Sequence, residues 1–273
     1  MAGPPHANAG AKRSYRNELC PSGMHSFTMA VKETDLWMAV DGNVRISGMA
    51  AELENYIWRQ RSYLEKYLEQ DPHFRKALTP RLAKPGAPEL AVCMARAANR
   101  AGVGPMAAVA GAFAQLAGEW LLEYSKQVIV ENGGDIFCCC TQPLHVGVYA
   151  GSSPFSGRLV VDVDGAGKPR GICTSSATVG PSFSKGQADA AVIVATDAML
   201  ADAVATATAN KVRTKEGLEH VTRFAMKIEG VEGVLVIMED KLAACGNIQL
   251  RQKESRKSKT ESRNKRKSKV KSR

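Results

Sequence analysis

Through the middle of the chain, short apolar stretches follow one another with only glycine-containing turns between them. That rhythm constrains the fold more than any other feature. Residues 128–130, 136–138 and 146–149 read as strands joined by such turns. Residues 159–163 and 171–173 continue the series around Asp164-Gly165, a hairpin signal. An unbroken apolar run at 190–195 reads as a buried strand, and 234–238 and 248–250 complete the set. Near the start, Phe27, Met29 and Val31 alternate with polar neighbours as a half-buried strand does, and 36–40 follows the Glu33-Thr34-Asp35 turn. Helical patterns are interspersed. Leu53, Ile57, Leu64 and Leu68 are apolar at helical spacing, with Asp71-Pro72 closing the segment. Residues 78–88, with three prolines and a glycine, read as an ordered loop, and 89–124 as a long helical stretch broken near Gly102-Val103-Gly104-Pro105. An alanine-rich helix at 200–210 and another at 215–228 follow. Runs of strands with helices between them, rather than strict alternation, predict an α+β fold with mostly antiparallel sheet and packed helices.

Charge divides the chain. Residues 251–273 hold 12 of the 37 basic and 2 of the 27 acidic side chains, so the remainder carries 25 of each and is neutral. This stretch has no apolar residue except Val270 and is expected to be a disordered basic tail. It could hold nucleic acid or another polyanion through salt-sensitive phosphate contacts; the alternative is a solvated extension, since no aromatic side chain is interleaved to read bases. Residues 1–25, with Pro4-Pro5 and Pro21-Ser22-Gly23, read as a flexible leader, leaving 26–250 as a single domain. An apolar content of 44% suits a packed core.

The first residues contain no apolar stretch of the kind a secretory signal needs. The seven cysteines include no C-x-x-C pair, which argues against a zinc site and for reduced cysteine in the cytoplasm. In the run Cys138-Cys139-Cys140, strand alternation would send the outer two to one face and Cys139 to the other. Residues 101–118 are uncharged and nearly of membrane-spanning length, yet mostly Ala and Gly, which gain little from lipid. A buried helix is expected, with no membrane partner. Gly104, Gly111 and Gly118 recur every seven residues and would let another element approach closely.

Three constellations could carry chemistry. Asn132-Gly133-Gly134-Asp135 lies between two strands, where the glycines permit positive φ and let a ligand approach backbone N–H groups; an ordinary hairpin turn is the alternative. Thr174, Ser175, Ser176 and Thr178 line a strand end with small hydroxyls able to bind phosphate oxygens or a ring edge. Asp202 and Thr206 stand four apart and share one helix face, as two oxygen ligands of a hard ion such as Mg²⁺ would. The alternative there is local: Asp202 favoured near the first turn of its helix and Thr206 bonding back to a carbonyl.

Taken in order, these segments resemble the ApbE-like superfamily, whose best-known members are Mg²⁺-dependent FAD:protein FMN transferases. The family's glycine-glycine-aspartate turn matches Gly133, Gly134 and Asp135. Its threonine-serine-glycine loop matches Thr174 and Ser175, with Ser176 replacing the glycine. Its alanine-aspartate-alanine-x-alanine-threonine-alanine helix matches every fixed position from Ala201 to Ala207. Glu33-Thr34-Asp35-Leu36, the run from Val103 to Gly111 and Tyr149-Ala150-Gly151-Ser152-Ser153-Pro154-Phe155-Ser156 are similar to a shorter, largely uncharacterised branch. The resemblance spans roughly residues 27–250. It implies a tunnelling-type α+β fold, metal ligation by Asp202 and Thr206, and contact of FAD or FMN with Asn132, Gly133, Gly134, Asp135, Thr174, Ser175 and Ser176. It further implies FMN transfer from FAD to a Ser or Thr of an acceptor protein, or else flavin or phosphate-ligand binding without turnover. The family's lysine-glycine pair is Ala110-Gly111 here, without the lysine. Its histidine after the hydroxyl loop is missing too, since the five histidines stand at 6, 25, 73, 145 and 220. Lys185 could supply positive charge in that segment; no residue stands out as the general base.

Overall fold

A computed structural model of the chain describes residues 20–176 and 186–253. It begins with the hairpin β1 (Met24–Val31) and β2 (Thr34–Asp41), then helices α1 (Met49–Gln70), α2 (Pro72–Lys76), α3 (Glu89–Ala101) and α4 (Val109–Leu121). Strands β3 (Val128–Asn132), β4 (Asp135–Cys139), β5 (Leu144–Gly147), β6 (Leu159–Val163), β7 (Arg170–Ser175) and β8 (Ala190–Ala195) follow. Helices α5 (Ala198–Lys211) and α6 (Leu218–Met226) lead to β9 (Val231–Met238), β10 (Lys241–Gly246) and β11 (Gln249–Gln252).

Eight strands form one sheet in the order β1-β2-β3-β4-β7-β8-β9-β10, and three form a second, β11-β6-β5. Every pairing among the described residues is antiparallel. The fold is therefore α+β, with mostly antiparallel sheet and packed helices. Period-two alternation divides the large sheet's side chains between two cores. Leu36, Met38, Val130, Phe137, Cys173 and Ile193 meet the helices on one face. Trp37, Ala39, Ile129, Ile172 and Val194 meet Val161 and Val163 of the small sheet on the other. The cysteine run obeys the same alternation: Cys138 and Cys140 lie in the sheet–sheet core, Cys139 under the helices.

One turn differs from the sequence reading. Asp164-Gly165 is not a hairpin, because β6 and β7 belong to different sheets. A Cβ on Gly165 would stand 2.0 Å from Gln142 O, and Gly167 N–H bonds Cys140 O at 2.8 Å. The chain is changing layers there, and the turn residues serve that close crossing. A smaller difference lies at the other end, where Arg251 and Gln252 continue β11 past residue 250. Arg251 also binds Asp162 at 2.7 Å.

The long helical stretch breaks where expected. Gly102 closes α3 at φ 77°, a 3₁₀ turn spans Pro105–Ala108, and the flanking helices bend by 101°. Among the described residues no single helix is long and apolar enough to cross a membrane. The three regularly spaced glycines each meet a different neighbour: Gly104 the Ala77 carbonyl, Gly111 the Ala198 carbonyl at the start of α5, and Gly118 the Phe137 ring.

Helix α5 is the centre of the helical layer, with ten of its fourteen residues buried, which explains its small side chains. Two groups satisfy its opening N–H donors. Asp197 accepts from Leu200 N at 2.7 Å, and Gln115 Oε1 on α4 accepts from Ala198 N at 2.9 Å. Asp197→Ala is expected to cost about 1 kcal/mol, a melting-temperature loss of about 2–4 °C by differential scanning fluorimetry.

Candidate functional site

The site grows from the end of the β3–β4 hairpin. Asn132 pairs with Asp135, so two residues, Gly133 at φ 68° and Gly134 at φ 108°, make the whole turn. Positive φ at both central positions is what a two-residue hairpin of this hand requires. Two side chains fasten it. Glu131, buried, accepts from Gly134 N at 2.8 Å, and Asn132 Nδ2 donates to Ala110 O in the first turn of α4 at 2.9 Å.

Register then aims Asp135. Ile136 pairs with Ile172, so one step further places Asp135 across from Cys173, on the helix-covered face. Its carboxylate lies within hydrogen-bonding reach of the Cys173 thiol and of Thr174 N–H. Burial pushes Asp135 up to about 7, with the Glu131 charge adding to the effect and those two donors opposing it. Asp202 reaches the same place from α5. Its Oδ2 accepts from Gly111 N at 2.9 Å, and Ala110 N–H donates to it as well. Burial raises Asp202 far above the usual carboxylate range, the Asp135 charge raises it further, and the two N–H donors pull the other way. The local alternative for Asp202 is thereby corrected. It lies past the first turn of α5, whose N-cap is Asp197, and its carboxylate binds the first turn of α4 instead.

Thr206 stands one turn beyond Asp202 on the same face. Asp202, Thr206 and Asn210 form a half-buried stripe along a helix otherwise enclosed by its neighbours. The hydroxyl loop divides. Ser175 shares the Cys173 face of β7, whereas alternation turns the Thr174 side chain to the other face, so Thr174 reaches Asp135 through its backbone N–H. Ser176 follows the strand end, half-buried. Thr178 and Lys185 lie outside the described residues.

The structure thus brings Asn132, Gly133, Gly134 and Asp135 to Asp202 through the first turn of α4. Sequence reasoning assigned no site role to Glu131 or Cys173, and foresaw Gly111 only as a point of close approach. Glu131 stands three residues before the glycine it binds, and Cys173 immediately precedes the hydroxyl series, which were the signals on offer. Among the described residues no three His, Cys, Asp or Glu side chains group as a metal cage. Two mutually repelling carboxylates and a nearby hydroxyl are hard oxygen donors, and Mg²⁺ is commonly held by one or two carboxylates with ligand phosphates supplying the rest. The donor set fits that ion.

Comparison with known proteins bears on the family and the fold. The sequence profile of the family described as AbpE bacteria matches residues 17–232. A UPF0280 protein of Methanocella arvoryzae is 41% identical over 193 residues, covering 70% of this chain and 78% of that protein. One from Methanosarcina barkeri is 38% identical over 220 residues, covering 80% and 85%. Among solved structures, the apo flavinyl transferase ApbE of Pseudomonas stutzeri superposes with a TM-score of 0.54 at 13% identity, covering 82% of this chain and 94% of that one. The flavin transferase ApbE of Vibrio cholerae gives 0.54 at 12%, covering 83% and 98%. At such identity the likeness concerns the fold. The chain belongs to the AbpE bacteria family, and its fold is that of the ApbE flavin transferases.

Proposed function

We propose that this chain binds Mg²⁺ at Asp202 and Thr206, beside Asp135, and through it the phosphates of a flavin nucleotide, FAD or FMN. The observation that carries the reading is the Asp135–Asp202 pair beside a glycine turn: two desolvated carboxylates, with the Asp135 charge raising the proton affinity of Asp202. A divalent cation relieves that repulsion and neutralises a diphosphate in the same place. Gly133 and Gly134 leave room for ligand against the hairpin end, and the Asp202–Thr206–Asn210 stripe supplies polar contacts along α5. Ser175, on the same face, and Ser176 at the strand end add hydroxyls for phosphate or ring oxygens.

The fold and family support a transfer reaction with this ligand. An acceptor protein's Ser or Thr hydroxyl attacks the phosphorus of the FMN half of FAD. The bond to the AMP phosphate breaks, AMP leaves, and the hydroxyl proton is released. The chain's own residues hold the dinucleotide in line for that displacement. Action on a cytoplasmic acceptor belongs to the same reading.

One observation favours binding without turnover: the family's lysine is absent at Ala110-Gly111, and residues 179–189 contain no histidine. A single experiment covers both readings. The full chain is titrated with FAD with and without Mg²⁺, following melting temperature, and then incubated with candidate acceptors while AMP is assayed. Metal-dependent stabilisation by FAD is expected, growing with ligand concentration by mass action. AMP release coupled to a flavin-labelled acceptor marks the transferase; saturable binding without AMP marks the binder. No stabilisation by FAD or FMN at any Mg²⁺ concentration rejects the flavin reading.

A further inference from the structure

Cys173 is wholly enclosed, and its thiol lies beside the Asp135 carboxylate. The β4–β7 register places it opposite Asp135, and strand alternation turns both side chains toward the helices. Above it lies the first turn of α5. Gly171, two residues earlier on the same face, has no side chain, and a Cβ there would stand 2.4 Å from Ala198 Cα. Helix α5 therefore rests almost on the strand, with Cys173 Sγ 3.4 Å from Ala198 O. Ala198 and Asp202 are four apart and share a helix face. The thiol sits between the helix carrying one carboxylate and the strand carrying the other.

A thiol has one proton and here two acceptors, the Ala198 carbonyl and the Asp135 carboxylate. We propose that Cys173 is a positioning residue for the carboxylate pair, its S–H donating to Asp135 and holding that carboxylate turned toward Asp202. The inference rests on reading the pair as the cation site. A sulfur donor suits the place. It bonds weakly, so it orients the carboxylate while leaving its lone pairs available to a cation, and it fits under a helix that tolerates only glycine at the neighbouring position. Partners of this kind, one bond removed from an ion, typically change affinity about 10–100-fold when lost.

Mn²⁺, a paramagnetic substitute for Mg²⁺, gives a direct measurement by electron paramagnetic resonance on the full chain, with and without FAD. Cys173→Val removes the donor at similar volume, and Cys173→Ser keeps one. The wild type is expected to bind saturably and Asp202→Ala not at all. Cys173→Val should weaken binding about tenfold, while Cys173→Ser stays within about threefold of wild type. A packing role alone would not be rescued by serine, so a serine variant as weak as the valine variant overturns the proposal, as does a valine variant that binds like wild type. If Cys173→Val does not fold, Cys173→Ala makes the same comparison. Absence of saturable Mn²⁺ binding by the wild type overturns the cation-site reading, and this inference with it. Normal wild-type binding with unchanged affinity in the variants rejects the role of Cys173 alone.

Discussion

Gly111→Ala is expected to lower the melting temperature by about 6–12 °C, the equivalent of about 3 kcal/mol in a chain of this size. The added methyl group would stand 2.2 Å from Ala198 O, 2.8 Å from its carbonyl carbon and 2.9 Å from Asp202 Cβ. Two of those atoms are backbone and the third is attached to it, so no rotamer change makes space. Helices α4 and α5 must separate, and the bond from Gly111 N to Asp202 stretches with them. Stability and cation affinity should therefore fall together. Gly147→Ala is the control: nothing lies within 4 Å of its added Cβ and its φ is not positive, so about 0.5 kcal/mol or less is expected. Thermal unfolding of both variants decides the matter, and a Gly111→Ala melting point within about 2 °C of wild type refutes the spacing argument.

The second large effect concerns pH. In the unfolded chain an aspartate loses its proton near 3.9, whereas Asp135 in the fold keeps its proton up to about 7. Between those values the folded state holds more protons than the unfolded one. The contribution of Asp135 therefore weakens stability as pH rises from about 4 to about 7, then levels. Asp135→Asn removes that contribution and places an amide donor beside Asp202. The variant should match the wild type near pH 4 and exceed it by about 4 kcal/mol at pH 7.5 in metal-free buffer. Urea unfolding at several pH values measures the difference directly, so other titrating groups cancel. Mg²⁺ should narrow the gap, stabilising the wild type more at pH 8 than at pH 6 because it competes with the carboxyl protons, and stabilising the asparagine variant less strongly. A difference between variant and wild type that does not change with pH would show that burial does not hold the proton on Asp135 in the fold.

Local chemistry made much of this legible in the sequence. The paired glycines announced a two-residue turn because only such residues accept positive φ twice in succession. The cysteine run announced its own division between two cores because strand alternation is a property of three adjacent residues. The break near Gly102 followed from glycine and proline together. What the sequence could not carry was partnership across the chain. Asp164-Gly165 has hairpin chemistry, but nothing local states that its flanking strands join different sheets. Asp202 could be placed on a helix face by counting, yet the N–H groups it binds belong to Ala110 and Gly111, roughly ninety residues earlier. Cys173 looked like any strand residue until register set it opposite Asp135. The resemblance to ApbE supplied the order of the segments; only the packing of α4 and α5 on β4 and β7 brings two of the carboxylates into one electrostatic unit.

The last described strand has a consequence for how the molecule is made. β11 pairs with β6, which precedes it by almost ninety residues, and together with β5 they cover the second core. During synthesis the large sheet's uncovered face, with Trp37, Ile129, Ile172 and Val194, waits for residues after Gln249 before its small-sheet cover is complete. A nascent chain paused short of that point would leave the β6 edge unpaired and Leu250 missing from the cover, an open strand edge of the kind that recruits other chains.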